Sequence, residues 1–324
     1  MSYTKTIEVY LVTYNRINYL KLALKSILNQ TYSEFKLIVL DNCSTDGTEE
    51  YMKSLQDDRI QYIRHFQNIG GKENIRYAFD HCKSDYFAVF HDDDILKPNL
   101  LKEEIEYLEK NKNCVAVSCL ANIIDENGKI IHLIDEKKYS KRSFSGTQFF
   151  TEYLNYQSHF IFPATVYRGE FIRRNEININ LEVGPCYDVL LYFDIERKGG
   201  NIVEIPNVLM DYRIHTNQDS SLHLEKMLVQ LIIYLSNDRY YHELLSNDLA
   251  GKKKYFYWYY KILLVRLTTK KLNYETADKY LEKMYGTLNL SILNYNILAY
   301  ILKIVSIFDR IGFWGYKLIK RMRK

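Results

Sequence analysis

Cysteine is sparse in this chain and follows no metal or disulfide pattern. Five Cys, at 43, 82, 114, 119 and 186, make an odd number with no CxxC spacing. That argues against a disulfide framework or a thiolate zinc site, and suits a reducing cytoplasm. Long apolar runs are missing too. A membrane span needs ~18 uninterrupted apolar residues. The best candidate, "LNLSILNYNILAYILKIVSIF", is broken by Asn289, Asn294, Asn296 and Lys303, and reads as amphipathic. The opening "MSYTKTIEVYLVTYN" lacks the basic region and apolar core of a signal peptide. HExxH, GxSxG and CxxC…CxxC patterns are absent, and the two glycines of "NIGGKEN" make no Walker motif. No internal repeat is visible.

What the chain does have is enough apolar residue for a core: 47% of 324 residues. Its length predicts one large domain or a domain with an appendage. Net charge is only +4, but it is unevenly spread. Residues 251–324 hold 16 Lys/Arg and 4 Asp/Glu, a net of +12, against 28 and 36 in the first 250, a net of −8. An acidic body with a basic tail predicts two regions with different partners.

The first hundred residues alternate strand and helix signals. "IEVYLVTYN", "FKLIVLD", "RIQYIRH" and "YFAVFH" read as strands, with "NYLKLALKSILNQ", "TEEYMKSLQ" and "GKENIRYAFDHC" as the helices between them. "PNLLKEEIEYLEKN" continues as a helix with Pro98 at its start, and Asn18 is a candidate cap for the first helix. The order βαβαβαβ predicts an α/β fold with a mostly parallel central sheet and helices on both faces. Ligands bind outside the carboxyl ends of strands in such sheets. Thr13, Tyr14, Asn15, Asp41, Asn42, Asp92 and Asp93 all punctuate strand ends. Further on, "CVAVSCLANIID" reads as a strand, "DEKKYSKRSFSG" as an exposed loop, "DVLLYFDIERKGG" as a glycine-stopped helix, and "NIVEIPNVLMDYRIH" as one or two strands. From about 221 the pattern turns helical and basic. The expected division is a catalytic domain over 1–218 and a basic, aromatic-rich helical region over 219–324.

The chemistry concentrates in "FAVFHDDDILKP", where an apolar strand runs into His91, Asp92, Asp93 and Asp94. Adjacent carboxylates repel, and a divalent cation reconciles them with burial. Oxygen ligands suit magnesium or manganese, typically shared with substrate phosphates. The alternative is a solvated strand-to-helix turn with Asp94 as a cap. "LDNCSTDGT" places Asp41 as an acceptor at a strand end, or else is a polar loop with an ordinary Asp46-Gly47 turn.

These blocks resemble glycosyltransferase family 2, the inverting enzymes with the GT-A nucleotide-sugar fold. The resemblance rests on "VTYNRINYLKLALKSILNQTY", "KLIVLDNCSTDGTEE", "NIGGKENIRYAFDHCKSDYFAVFHDDDIL" and "MDYRIHTNQDS", and covers roughly 1–215. It implies that Thr13 and Tyr14 line the nucleotide pocket with Arg16 nearby. Asp41 would accept a hydrogen bond from a uracil ring, and Lys72 would lie where the ribose and diphosphate pass. Asp92 would contact the ribose or donor sugar. Asp93 would be the main metal ligand, with Asp94 as the fallback, because His91 stands where the family often has the first Asp of its motif. His215 would reach the metal or diphosphate, and Arg213 would offset phosphate charge. Tyr187-Asp188 stands where the family often has Glu-Asp, which makes Asp188 the general base for an acceptor hydroxyl; otherwise it is a plain helix cap.

The tail adds "GKKKYFYWYYK", three lysines beside six consecutive aromatics, and "RIGFWGYKLIKRMRK", with six basic residues. Such mixtures suit an anionic membrane surface; the alternative is a helical subdomain whose aromatics pack against the catalytic domain and whose lysines are merely solvated. No nucleic-acid module accompanies the charge. The expectation is a Mg2+- or Mn2+-dependent enzyme, cytoplasmic and peripheral on the inner membrane face. It would move a sugar from a UDP-sugar to a glycan or lipid-linked glycan acceptor in surface-polysaccharide assembly. Two rivals are a sugar-phosphate nucleotidyltransferase, which should carry a Gly-rich loop where "VTYNRINYL" has none, and a non-catalytic membrane-bound scaffold.

Overall fold

Strand β1 (Ile7–Thr13) is buried along nearly its whole length, and its side chains alternate between two covered faces. Ile7, Val9 and Leu11 join a core with Leu20, Ala23, Leu24 and Ile27 of helix α1 (Ile17–Leu28). Leu37 and Val39 of β2 (Lys36–Asp41) and Met52 of α2 (Thr48–Ser54) belong to the same core. After β3 (Ile60–Arg64), helix α3 (Gly71–His81) takes the other face. There Phe79 packs edge-on against Phe87 of β4 (Tyr86–His91), ring centroids 5.1 Å apart. Helices therefore cover both faces, as the alternation predicts. The architecture is described over residues 5–155, 160–215, 219–269, 271–290 and 295–309 of a computed structural model. The basic segment 310–324 lies outside these residues.

The strand order β3-β2-β1-β4 is parallel throughout. The chain winds outward from β1 to β3, then returns to lay β4 on the other side of β1. That reversal is a topological switch point, and it lies between the carboxyl ends of β1 and β4.

Beyond β4 the sheet becomes mixed rather than mostly parallel. A two-residue strand, β5 (Ile95–Leu96), is followed by α4 (Leu100–Lys110), β6 (Cys114–Ile124), β7 (Ile130–His132), β8 (Arg142–Phe144) and α5 (Gln148–Leu154). Next come β9 (Thr165–Arg168), α6 (Gly169–Arg174), α7 (Tyr187–Arg197) and β10 (Asn201–Arg213). β9 runs antiparallel to both β4 and β6, while β6 and β10 are parallel. "NIVEIPNVLMDYR" is one strand with register shifts between Ile205 and Met210, where Pro206 cannot donate to the ladder. The expected loop at 135–146 contains β8 and a short 3-10 turn, Glu136–Lys138. Asn18 lies inside α1; the Ile17 N–H at the helix start is instead capped from a distance by Asp46 Oδ2 at 2.8 Å.

The chain divides into two compact units. The sheet unit comprises Met1–Phe149, His159–Leu181 and Tyr187–Gln218; the helical unit comprises Phe150–Ser158, Glu182–Cys186 and Asp219–Lys324. The short segments 150–158 and 182–186 thus group with the helices.

The helical unit contains α8 (Asp219–Asn237), α9 (Arg239–Asn247), α10 (Leu249–Thr268), α11 (Tyr274–Leu288) and α12 (Tyr295–Asp309). Asp238, Asp248 and Asn273 cap α9, α10 and α11 through side-chain acceptors on Tyr241, Gly251 and Thr276 N–H groups. Of the six consecutive rings in α10, Tyr255, Phe256, Tyr259 and Tyr260 are buried, and Tyr257 is exposed. This stretch is mainly packing surface rather than a presented aromatic face. Arg266 pairs with Glu225 at 2.7 Å inside the same unit. No helix among the described residues is long and apolar enough to cross a membrane.

Candidate active site

The acidic run is the turn between β4 and β5, so it is pinned at both ends. Upstream, His91 is in register with Val12 of β1. Downstream, Ile95 and Leu96 pair antiparallel with Asp211 and Met210 of β10. A two-residue strand has almost no sequence signal, so hydrophobic periodicity does not reveal β5. Held this way, Asp92, Asp93 and Asp94 are 4%, 6% and 1% exposed, which excludes a solvated turn.

Burying three carboxylates demands compensation. Asp92 Oδ2 accepts from Thr13 Oγ1 at 2.7 Å. Arg16 Nη1 bridges Asp93 Oδ2 at 2.9 Å and Asp92 Oδ1 at 3.4 Å. His215 Nε2 lies 3.0 Å from the same Asp93 oxygen. Asp94 Oδ1 accepts from the backbone N–H of Arg213 at 2.9 Å. His91 stands half-buried, its ring 6.0 Å from that of Phe162.

The electrostatics separate the carboxyls. Burial, then the charge of Asp93, pushes Asp92 up to about 7. The same two causes raise Asp94 well above the usual carboxylate range. Burial would raise Asp93 as well, but His91, His215 and Arg16 outweigh it and hold its carboxyl below the ordinary value. Burial lowers His91 and favours its neutral form. One firmly ionised carboxylate beside two that resist ionisation is an arrangement a divalent cation relieves.

The residues present fit such an ion. One donor atom each from His91, Asp93 and Asp94 lies within 4.8 Å of the others. His91 Nε2 and Asp94 Oδ2 are buried and have no hydrogen-bond partner. The convergent group contains His91, whereas His215 is placed as a hydrogen-bond partner of Asp93.

Other expected residues are placed differently. Asp41 is fully buried; its oxygens accept from Ser44 N–H at 2.9 Å and Tyr62 Oη at 2.5 Å, so it fastens the loop after β2. Lys72 Nζ donates to Leu181 O at 2.7 Å rather than joining the acidic cluster. Tyr14 is exposed at the β1 end. Arg213, expected to face phosphate, is 1% exposed. Its guanidinium donates to the carbonyls of Asp93, Asp125 and Glu126 and stacks 4.8 Å over the Tyr19 ring. It braces the acidic turn from behind. Tyr19, also 6.1 Å from the His215 ring, carried no motif that would have flagged it.

Asp188 opens α7, where its Oδ1 accepts from Val189 N–H at 2.8 Å. Burial pushes it up to about 6. The adjoining Tyr187 ring packs edge-on against Phe162, centroids 5.7 Å apart, and Phe162 in turn faces His91. That aromatic bridge brings the start of α7 toward the acidic turn.

The profile described as Glycosyl transferase family 2 matches residues 8–171. The chain belongs to this family. An uncharacterized glycosyltransferase of Methanocaldococcus jannaschii is 29% identical over 220 residues, 67% of this chain and 73% of that protein. Another, from Haemophilus influenzae, is 25% identical over 233 residues, 67% and 68% of the two chains. Among solved structures, S. aureus TarS 1–349 in complex with UDP-GlcNAc superposes with a TM-score of 0.64 at 13% identity, covering 94% of this chain and 89% of that one. The mannosyltransferase PcManGT from Pyrobaculum calidifontis, in complex with GDP-Man and Mn2+, gives 0.57 at 16% identity, covering 95% and 88%. The fold of this glycosyltransferase is of the GT-A type, with a mixed central sheet and a helical C-terminal region.

Proposed function

We propose that this glycosyltransferase transfers a sugar from a UDP-sugar, with inversion, to an acceptor hydroxyl on a glycan or lipid-linked glycan. The observation that carries the reading is the convergence of Thr13, Arg16 and Asp92–Asp94 at the switch point between β1 and β4. The UDP-GlcNAc held by TarS and the GDP-Man held with Mn2+ by PcManGT support a nucleotide-sugar donor.

Thr13, Tyr14 and Arg16 border the donor, and Asp92 meets its ribose or sugar. Asp41 and Lys72 act from the nucleotide side, through the loop after β2 and the start of α3. Asp93 and Asp94 would hold a divalent cation, Mg2+ or Mn2+, with His215 orienting Asp93. Bound there, the ion would supply positive charge to offset a departing diphosphate. Asp188 takes the proton from the acceptor hydroxyl as its oxygen bonds to the anomeric carbon. The bond from that carbon to the diphosphate oxygen breaks on the opposite side. A carboxylate raised to about 6 is a better proton acceptor near neutral pH than an ordinary one.

The acceptor reading draws on the tail. On α12, Ile297 and Tyr300 are exposed on one side together with Lys303. An apolar face with basic neighbours suits peripheral attachment to an anionic membrane, and segment 310–324 adds six basic residues. These features support a reading in which the enzyme works at the cytoplasmic membrane face, in surface-polysaccharide assembly.

The test is calorimetric titration with UDP, with and without Mn2+, for the wild type and Asp93→Asn. Metal-dependent binding lost in the variant supports the reading. Absence of binding by any nucleoside diphosphate overturns it.

A further inference from the structure

We infer that His91 is a direct ligand of the metal in this site, together with Asp93 and Asp94, and that its imidazole biases the site toward Mn2+ and Co2+ over Mg2+. The inference rests on the donor-site reading above and specifies which atoms hold the ion and which ion they select.

Three observations carry it. The donor atoms of His91, Asp93 and Asp94 lie within 4.8 Å of one another, a spacing that one ion can bridge. Two of these residues carry a buried atom with no hydrogen-bond partner, His91 Nε2 and Asp94 Oδ2. Asp94 is 1% exposed, so water does not readily compensate that oxygen. The remaining surroundings are already committed. Asp93 Oδ2 is engaged by Arg16 and His215, and Asp94 Oδ1 by the Arg213 N–H. The unsatisfied atoms are therefore the ones a cation would satisfy.

The backbone makes His91 a well-positioned ligand. It is the last residue of β4, in parallel register with Val12, and Phe162 flanks its ring. A ligand on a strand end is held more precisely than one on a loop. His215, by contrast, follows β10 and reaches the cluster through Asp93.

Selectivity follows from ligand chemistry. Mg2+ prefers oxygen donors in near-ideal octahedral geometry and dehydrates reluctantly. Imidazole suits later first-row ions, and affinity at such sites rises from Mn2+ toward Co2+. One nitrogen with two carboxylates therefore disfavours Mg2+ while retaining Mn2+, which accepts both donor types. An Asp at position 91 would make the set all-oxygen and remove the bias.

The experiment is Mn2+ binding to the full chain, read by pulsed electron paramagnetic resonance on protein labelled with [15N]histidine, with and without UDP. It is run on the wild type, His91→Asp, His91→Gln and His215→Gln. The expected result is a 15N coupling that persists in His215→Gln and disappears in both His91 variants. Competition by Mg2+ should show at least a tenfold drop in the Mn2+/Mg2+ affinity ratio for His91→Asp. Should the His91 variants fail to fold, persistence of the coupling in His215→Gln still supports the inference. A coupling lost in His215→Gln and kept in the His91 variants overturns it, as does Mn2+ binding with no nitrogen coupling. UDP binding without any bound Mn2+ overturns this inference while leaving the donor site standing; loss of both removes the donor-site reading as well.

Discussion

Thr13 Oγ1 donates to Asp92 Oδ2 at 2.7 Å, joining the carboxyl ends of two parallel strands 79 residues apart in sequence. The bond is buried, so its removal leaves a buried carboxyl oxygen short of a partner. Thr13→Val keeps the shape and deletes the donor. The expected cost is about 1–3 kcal/mol in denaturant unfolding, with weaker UDP binding.

The same carboxyl gives the metal-free protein a pH signature. Burial and Asp93 place Asp92 at about 7, above its ordinary 3.8. A raised carboxyl leaves stability intact below about pH 4, and that stability is lost as pH rises through 7. Asp92→Asn should flatten this decline. The check is a series of unfolding midpoints in chelator between pH 4 and 8; unchanged slopes would show that Asp92 is ionised throughout.

Arg16 bridges Asp92 and Asp93 with a side chain that is 34% exposed. Arg16→Ala leaves two buried carboxylates facing each other. Partial solvation reduces the penalty to about 1–3 kcal/mol, below that of a fully buried pair. Mn2+ should restore much of the loss in the variant and less in the wild type. Thermal unfolding with and without Mn2+ measures both.

Asp188, raised to about 6 by burial, should impose the acid limb of the rate profile. A base works only when ionised, so kcat/KM should fall about tenfold per pH unit below 6. Asp188→Asn should lower kcat by about 10²–10⁴-fold with UDP affinity retained. An unaltered pH profile in a residually active variant would assign the base elsewhere.

Gly169 opens α6 where the chain leaves β9, and a Cβ there would meet the Ser84 carbonyl oxygen at 2.4 Å. The clash is with backbone, which cannot swing aside. Gly169→Ala should destabilise by about 1–3 kcal/mol, seen as a lower unfolding midpoint without change in the denaturant slope.

Much of this architecture was legible locally. Ile7, Val9 and Leu11 alternate with a period of two, and Leu20, Ala23, Leu24 and Ile27 recur at helical spacing, because each element must turn an apolar face to the same core. The acidic run was legible as well, since an apolar strand leading into Asp92–Asp94 is costly unless something compensates the charge. His91 was visible at its motif position, but nothing in the linear chain distinguishes a ligand from a neighbour.

Residue order thus specified the elements and the polar groups at their ends, because hydrophobic periodicity and strand termination are short-range properties. Folding assigned those groups their partners. Asp41 was claimed by Tyr62, Lys72 by the Leu181 carbonyl, Arg213 by three carbonyls behind the turn, and most of the α10 rings by the helical core. β5, two residues long, exists only because β10 is beside it. Hydrogen-bond pairing depends on register and crossover between segments far apart in the chain, and such relationships come into being only when the sheet closes around them.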